Sequence, residues 1–248
     1  MRKKAIVILI VVLSVFVLAY TVNANVDDTV NSHNTIDRAF LLLNQQSFDQ
    51  AREKTEIQDV LDKKFPEIKE LLKQNHRDFN IDNESNMPVK YGEPYKVYKI
   101  KNAFINDNES IEKCIDSSSY FWEVPLFDGN EEITNALIID KVKGKWKVVD
   151  IGLRFSPKVY SSFCNNEIIF KNIASVHEIK EISQMVRVSD LVYYNGIFVK
   201  SGKNEYMLPY TSRPDLLKLE NGKLYSVKQV ATKVNDMIKQ FEIKVYDH

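Results

Sequence analysis

Glycine, cysteine and arginine are scarce in this chain, and each scarcity removes a class of function. The 248 residues hold seven glycines, at Gly92, Gly129, Gly144, Gly152, Gly196, Gly202 and Gly222. A dinucleotide loop or a Walker loop needs several within a few residues, so that backbone can approach phosphate closely. These are too scattered for either, and no Gly-x-Ser-x-Gly elbow occurs. Only Cys114 and Cys164 are present, which is no disulfide framework and no metal-ligand spacing. An even pair in an oxidising compartment is compatible with one disulfide and equally with two separate thiols. Arginine is outnumbered 27 to 7 by lysine. Bidentate contacts to phosphate and guanine favour arginine, so a nucleic-acid partner gets no support.

What is present begins with an address. A basic start at Arg2, Lys3 and Lys4 precedes the apolar run Ala5–Leu18, and Val22-Asn23-Ala24 offers small residues for cleavage. Residues 1–24 therefore read as a transport signal cut after Ala24. The competing reading is an uncleaved anchor over residues 5–22, a stretch at the lower limit for spanning a bilayer. Either way the body of the protein lies outside the cytoplasmic membrane, as a secreted or extracytoplasmic chain touching membrane only through that segment. No cysteine follows the apolar run, so a lipid anchor is not indicated. Total charge balances at 34 and 34, and setting aside the three leader cations leaves 31 against 34.

Hydrophobic residues at 44% and charged residues at 27% describe a globular body. Residues 25–34 form a polar tether. Helical spacing of Ile36, Ala39, Phe40 and Leu43 predicts a first helix. Ser47-Phe48-Asp49-Gln50 is a capping box that opens a second helix, carrying Phe48, Ala51, Val60 and Leu61. Pro66 suits the first turn of a third, with Ile68, Leu71 and Leu72 on its stripe. The β-branched and aromatic stretch Tyr91–Gly152 then predicts an antiparallel meander. Its strands are Tyr95–Ile105, Phe121–Phe127, Ile133–Val142 and Lys145–Ile151, with glycine turns at Asp128-Gly129 and Lys143-Gly144 that permit positive φ. Trp122, Val124 and Leu126 share one face, and Phe121, Glu123 and Phe127 the other. Neither face of Ile133–Val142 is plainly polar, which predicts a central strand covered on both sides.

Asp-Asn-Glu-Ser occurs twice, at Asp82–Ser85 and Asp107–Ser110, without the alternating acids and distal glutamate of a cation loop. Both read as turns. Residues 153–166, rich in Pro, Ser and Asn, read as a linker to a second domain over 167–248. There, Ser175-Val176-His177-Glu178 is a capping box for a helix with Ile179, Ile182 and Val186. Asn195-Gly196 marks a hairpin turn between Leu191–Tyr194 and Ile197–Lys200. Ser226-Val227-Lys228-Gln229 caps a last helix with Val230, Val234 and Ile238. The fold class is α+β: three N-terminal helices on an antiparallel meander over 35–152, followed by a smaller α+β domain.

Three helices, a strand, and a meander closing on Lys145-Trp146-Lys147-Val148-Val149-Asp150-Ile151-Gly152 resemble the NTF2-like (cystatin-like) superfamily. The resemblance covers about 35–152. It implies an exported protein of a group that contains isomerases, dehydratases and many non-catalytic accessory domains, and it carries over no catalytic residue.

For chemistry, His177-Glu178-Ile179-Lys180-Glu181 begins like a zinc-protease helix but puts Glu181 where the second histidine belongs. Cys164 with His177 or His76 has the residue types of a thiol nucleophile and its base, with nothing local to activate it. Glu123 and Asp140 each share a strand face with apolar residues, where a carboxylate can have a raised pKa. Tyr95, Tyr98, Trp122 and Trp146 have the composition of a binding cleft, and Tyr91 with them. No cofactor is implied. These readings converge on an exported envelope accessory protein that binds another envelope protein or a small ligand. The alternative is a hydrolase or isomerase using carboxylates in the concavity of the sheet.

Overall fold

The computed structural model describes residues 42, 46–79, 81–100, 110–176, 179, 181–189 and 195–246. The leader, the tether, most of the first predicted helix, His177, Glu178, Asp107–Glu109 and Leu191–Tyr194 lie outside them. Among the described residues no helix is long and apolar enough to cross a membrane.

Ser47 does cap a turn, its hydroxyl accepting from the Asp49 amide at 3.2 Å. That turn is a single 3₁₀ turn, Phe48–Gln50, and the chain extends at Ala51 before a new helix begins. Helix α1, Lys54–Gln74, is one helix of 21 residues with Pro66 inside it, not two helices meeting at the proline. Proline removes one backbone donor and crowds the carbonyl four residues back. The buried stripe Ile57, Leu61, Phe65, Ile68 and Leu72 runs through the position and holds both halves on the sheet. Pro66 itself is exposed, on the side of the helix away from that stripe.

Strands β1 (Lys90–Tyr91) and β2 (Tyr95–Ile100) follow, then a four-residue helix α2 (Ile111–Cys114). The meander is β3 (Ile115–Phe127), β4 (Ile133–Val142) and β5 (Lys145–Ile151), so β4 and β5 have their predicted bounds. Lys143 and Gly144 both take positive φ, at 50° and 78°, the primed turn a two-residue hairpin favours. The other turn differs. Gly129 is not at positive φ; Glu131 is, at 65°. The Asp128 carboxylate sets that loop instead, accepting from the amides of Asn130 at 2.8 Å and Glu132 at 3.0 Å.

Residues 153–166, read as a linker, hold helix α3 (Pro157–Cys164), and α4 (Asn166–Ala174) follows at once. The run without clear periodicity in fact buries Phe155, Tyr160 and Phe163. Ser175 ends α4 rather than opening a helix. The spacing of Ile179, Ile182 and Val186 looked helical, but β6 (Gln184–Ser189) begins there. Asn195 and Gly196 are not a turn either: they pair with Ser189 and Val188 inside β7 (Asn195–Ser201). Gly196 is closely crowded there: a Cβ would meet Met207 Sδ at 2.3 Å, so that side chain would have to shift. Strand β8 (Asn204–Tyr210), the short α5 (Pro214–Leu217), β9 (Tyr225–Ser226) and α6 (Val227–Tyr246) complete the chain. The last capping box forms as expected, with Ser226 and Gln229 exchanging bonds of 2.9 and 3.3 Å.

All of these strands join one sheet of nine, ordered β5-β4-β3-β2-β6-β7-β8-β9 with β1 on β3. This overturns the expected arrangement of three helices on a meander beside a separate smaller α+β unit. The class is still mixed α and β, but the meander is one half of a larger sheet. The join is β2 against β6, a parallel pair matching Tyr98 with Val188 and Lys99 with Ser189. A parallel neighbour so distant in sequence leaves no turn signal between the partners. Strand β4 is next to the edge rather than central, yet both its faces are covered. Leu137 and Ile139 pack with α1 against Trp122 and Val124. Ala136 faces the other way, with Tyr160 and Phe163 of α3 and Ile169 of α4. Beyond the join, Val230 and Val234 of α6 cover Val186, Phe198 and Met207. The sheet thus carries α1 and α6 on one face and α3 with α4 on the other.

Candidate functional site

On the α3–α4 face, three adjacent strands bring polar side chains together where the rest of the layer is apolar. Tyr95 of β2 is directly opposite Glu123 of β3. Arg187 of β6 alternates with Val186 and Val188, which point into the α6 core; strand pleating therefore sends it toward α3. Above them is the joint between the two helices. Asn165 caps α4 by accepting from the Ile168 amide at 3.2 Å. That tight joint leaves the Cys164 carbonyl and the Asn166 side chain facing the sheet.

Arg187 meets both. Its Nη2 donates to Asn166 Oδ1 at 2.7 Å and to the Cys164 carbonyl at 3.4 Å. Its guanidinium carbon is 5.0 Å from the centre of the Tyr95 ring, a cation–π distance. A line of donors crosses the floor: Cys164 Sγ donates to the Tyr95 hydroxyl at 3.5 Å, and Tyr95 donates to the Tyr160 hydroxyl at 2.5 Å. The Tyr160 hydroxyl points on toward Glu123, which has no exposed surface. Neither carboxylate oxygen of Glu123 closes a hydrogen bond of normal geometry. On the far side, Arg154 Nη1 donates to Ser189 Oγ at 3.0 Å and Asn195 Oδ1 at 3.4 Å, with Phe121 beneath it at 5.1 Å.

These groups titrate as burial dictates. Burial pushes the Glu123 carboxyl above its usual range, against the opposing pull of Arg154, Tyr160 and Arg187. It pushes the Cys164 thiol up to about 12, against Tyr95 and Arg187. Tyr95 and Tyr160 are both raised well above an ordinary phenol, again by burial first.

The assembly is not sealed. A cavity of about 570 Å³ opens over it, floored by Tyr95, Cys164, Asn166 and Arg187 and walled by Pro94, Pro125 and Phe127. Gln46 closes one end, its amide donating to the Met185 carbonyl at 2.8 Å. Asp49, Gln50 and Glu93 are on the exposed rim.

Of the residues singled out from sequence, Tyr95 lies in this cleft, Glu123 is directly behind it, and Cys164 is part of its floor. Trp122 and Trp146 are buried in the α1 core on the opposite face. There Trp122 Nε1 donates to Glu53 at 3.1 Å, the Tyr120 hydroxyl at 2.7 Å, and Lys96 is 3.6 Å away. Burial opposes ionisation of Glu53, but these partners outweigh it and hold its pKa below the usual value. Tyr98 packs on Tyr120 beside them. Asp140 is paired with Lys99 at 2.5 Å. His76 Nδ1 is 3.0 Å from the Ile81 carbonyl. Cys114 is buried among the α6 core residues, while Cys164 packs against the α3–α4 core, so the candidate bridge is not formed. Among the described residues no three His, Cys, Asp or Glu are grouped to hold a metal ion.

Sequence reasoning missed Arg187, Asn166, Tyr160 and Arg154. For Arg187 a signal did exist: Met-Val-Arg-Val-Ser alternates at the period of a strand, with its only cation on one face. Asn166 and Tyr160 gave none, because they belong to a segment read as unstructured. The chain matches no family model, no curated protein and no solved structure.

Proposed function

We propose that this is an exported protein that binds a small ligand in the cleft between α3–α4 and the sheet, and that its role is not catalytic. The observation that carries the reading is the cleft itself, a concavity of about 570 Å³ in which ring and proline walls meet a polar floor and rim. That size is usual for small-molecule sites. The basic start and apolar run within residues 1–24 support an address outside the cytoplasmic membrane.

The floor is poorly equipped for nucleophilic chemistry. A thiol with a pKa near 12 is protonated at neutral pH, and a reactive cysteine needs its thiolate. Among the described residues no histidine lines the cleft. Glu123 keeps the hydrolase or isomerase alternative open, because a carboxyl with a raised pKa is a fit general acid or base. It is sealed behind Tyr95, however, and is not part of the lining.

A ligand-observed NMR screen of several hundred small molecules, repeated on Gln50→Trp, tests the proposal. Gln50 is an exposed rim residue, so a tryptophan there narrows the mouth without disturbing the core. Hits on the protein that vanish in a folded Gln50→Trp are the expected result. Hits that persist unchanged in the blocked variant, or turnover of a hit that Glu123→Gln abolishes, would overturn it.

A further inference from the structure

We infer that the ligand is a small monocarboxylate with an apolar body, and that Arg187 is the residue that anchors its carboxylate; this rests on the cleft being a binding site. Arg187 is only 7% exposed, and a guanidinium that deep normally has an anion beside it. Here no carboxylate of the described residues forms an ion pair with it. Its two recorded acceptors, the Asn166 amide oxygen and the Cys164 carbonyl, are neutral and share one nitrogen, Nη2. Its Nε is buried with no partner at all. Native structures leave few buried donors unpaired. The same side chain lines the open cleft, and a planar guanidinium with spare N–H capacity is the shape that a carboxylate completes.

Glu123 does not supply the missing charge. It feels both Arg187 and Arg154, but makes no hydrogen bond with either. Arg154 is engaged with Ser189 and Asn195 and is absent from the lining. Among the described residues that line the cleft, Arg187 is thus the one cation, and no lysine is among them. That favours a single negative charge over a phosphate dianion, as do the rim acids Asp49 and Glu93. Asp49 is already paired with Lys54 at 2.6 Å; Glu93 forms no ion pair with any described residue. Phe127, Pro94, Pro125 and the Tyr95 ring face the space beyond the guanidinium, so the remainder of the ligand is apolar.

Matched pairs of probes on the purified protein test this without any substitution. Hexanoate, 3-phenylpropionate and 4-phenylbutyrate are compared by thermal shift at pH 7 with their primary amides and with inorganic phosphate. The expected result is that at least one acid raises Tm dose-dependently, while its amide and phosphate do not. Arg187→Lys, which keeps the charge but not the fork, should bind that acid at least tenfold more weakly while its unliganded Tm stays within a few degrees. Amides that shift Tm as much as their acids would overturn the Arg187 anchor and leave the binding cleft standing. A preference for phosphate would overturn the monocarboxylate class. No shift from any acid would overturn the inference, and the broad screen with Gln50→Trp then decides separately whether the cleft binds anything.

Discussion

Glu123 stands on β3 beside Phe121, beneath α3, with no exposed surface and no hydrogen bond of normal geometry on either carboxylate oxygen. Burial raises its folded-state pKa above the ordinary 4.5. Below that pH the side chain is protonated whether the chain is folded or not. As pH rises, the unfolded chain releases the proton first, so stability falls until the folded pKa is passed. Glu123→Gln should therefore differ least from the parent in Tm below pH 4.5 and gain on it as pH rises from there to the folded pKa; parallel curves would show that the buried acid does not titrate this way. Cys164 makes a second residue-scale test. With its pKa near 12, the folded protein at pH 8 should react with a thiol reagent at that position far more slowly than the urea-unfolded chain, read by mass of the Cys164 peptide.

Elements show which signals in a sequence survive folding. Strands β4 and β5 were legible to the residue, because each is bounded by a turn and alternates against a neighbour close in sequence. The Ser226 box was legible for the same reason: its partners are three residues apart. Ser226→Ala should lower stability by about 1 kcal/mol, measured by urea unfolding. Local rules failed where distant packing outweighed them. Pro66 reads as a helix start, yet the stripe from Ile57 to Leu72 keeps α1 continuous. A proline in a helix interior costs roughly 3 kcal/mol relative to alanine. Pro66→Ala, at an exposed position, should accordingly raise stability by about 1–3 kcal/mol, and a loss of stability would mean that the proline fits the helix to the sheet. Gln184–Ser189 was lost to a chance helical spacing, and Arg187 with it.

At the scale of the molecule, β2 and β6 knit the two halves of the sequence into one sheet, and no composition or motif announced that. Only part of the cleft was visible beforehand: Tyr95 as a cleft aromatic, Cys164 as a candidate thiol and, behind them, Glu123 from strand alternation, but not the Arg187 and Asn166 that meet on the floor. Residues 153–166, which looked like a linker, bury Tyr160 and Phe163 in the shared core. Phe163→Ala should cost about 3–5 kcal/mol, in a single unfolding transition followed by both near- and far-ultraviolet circular dichroism. The claim that ties sequence, sheet and cleft together is that Arg187 holds an unfilled N–H for a ligand carboxylate. Its most direct test is the Nε–Hε correlation of Arg187 in a nitrogen-15 NMR spectrum, assigned by its loss in Arg187→Lys. Titration with the acid that raises Tm most should move that signal downfield and slow its exchange with water. A signal that stays in place while the same acid binds would contradict the account.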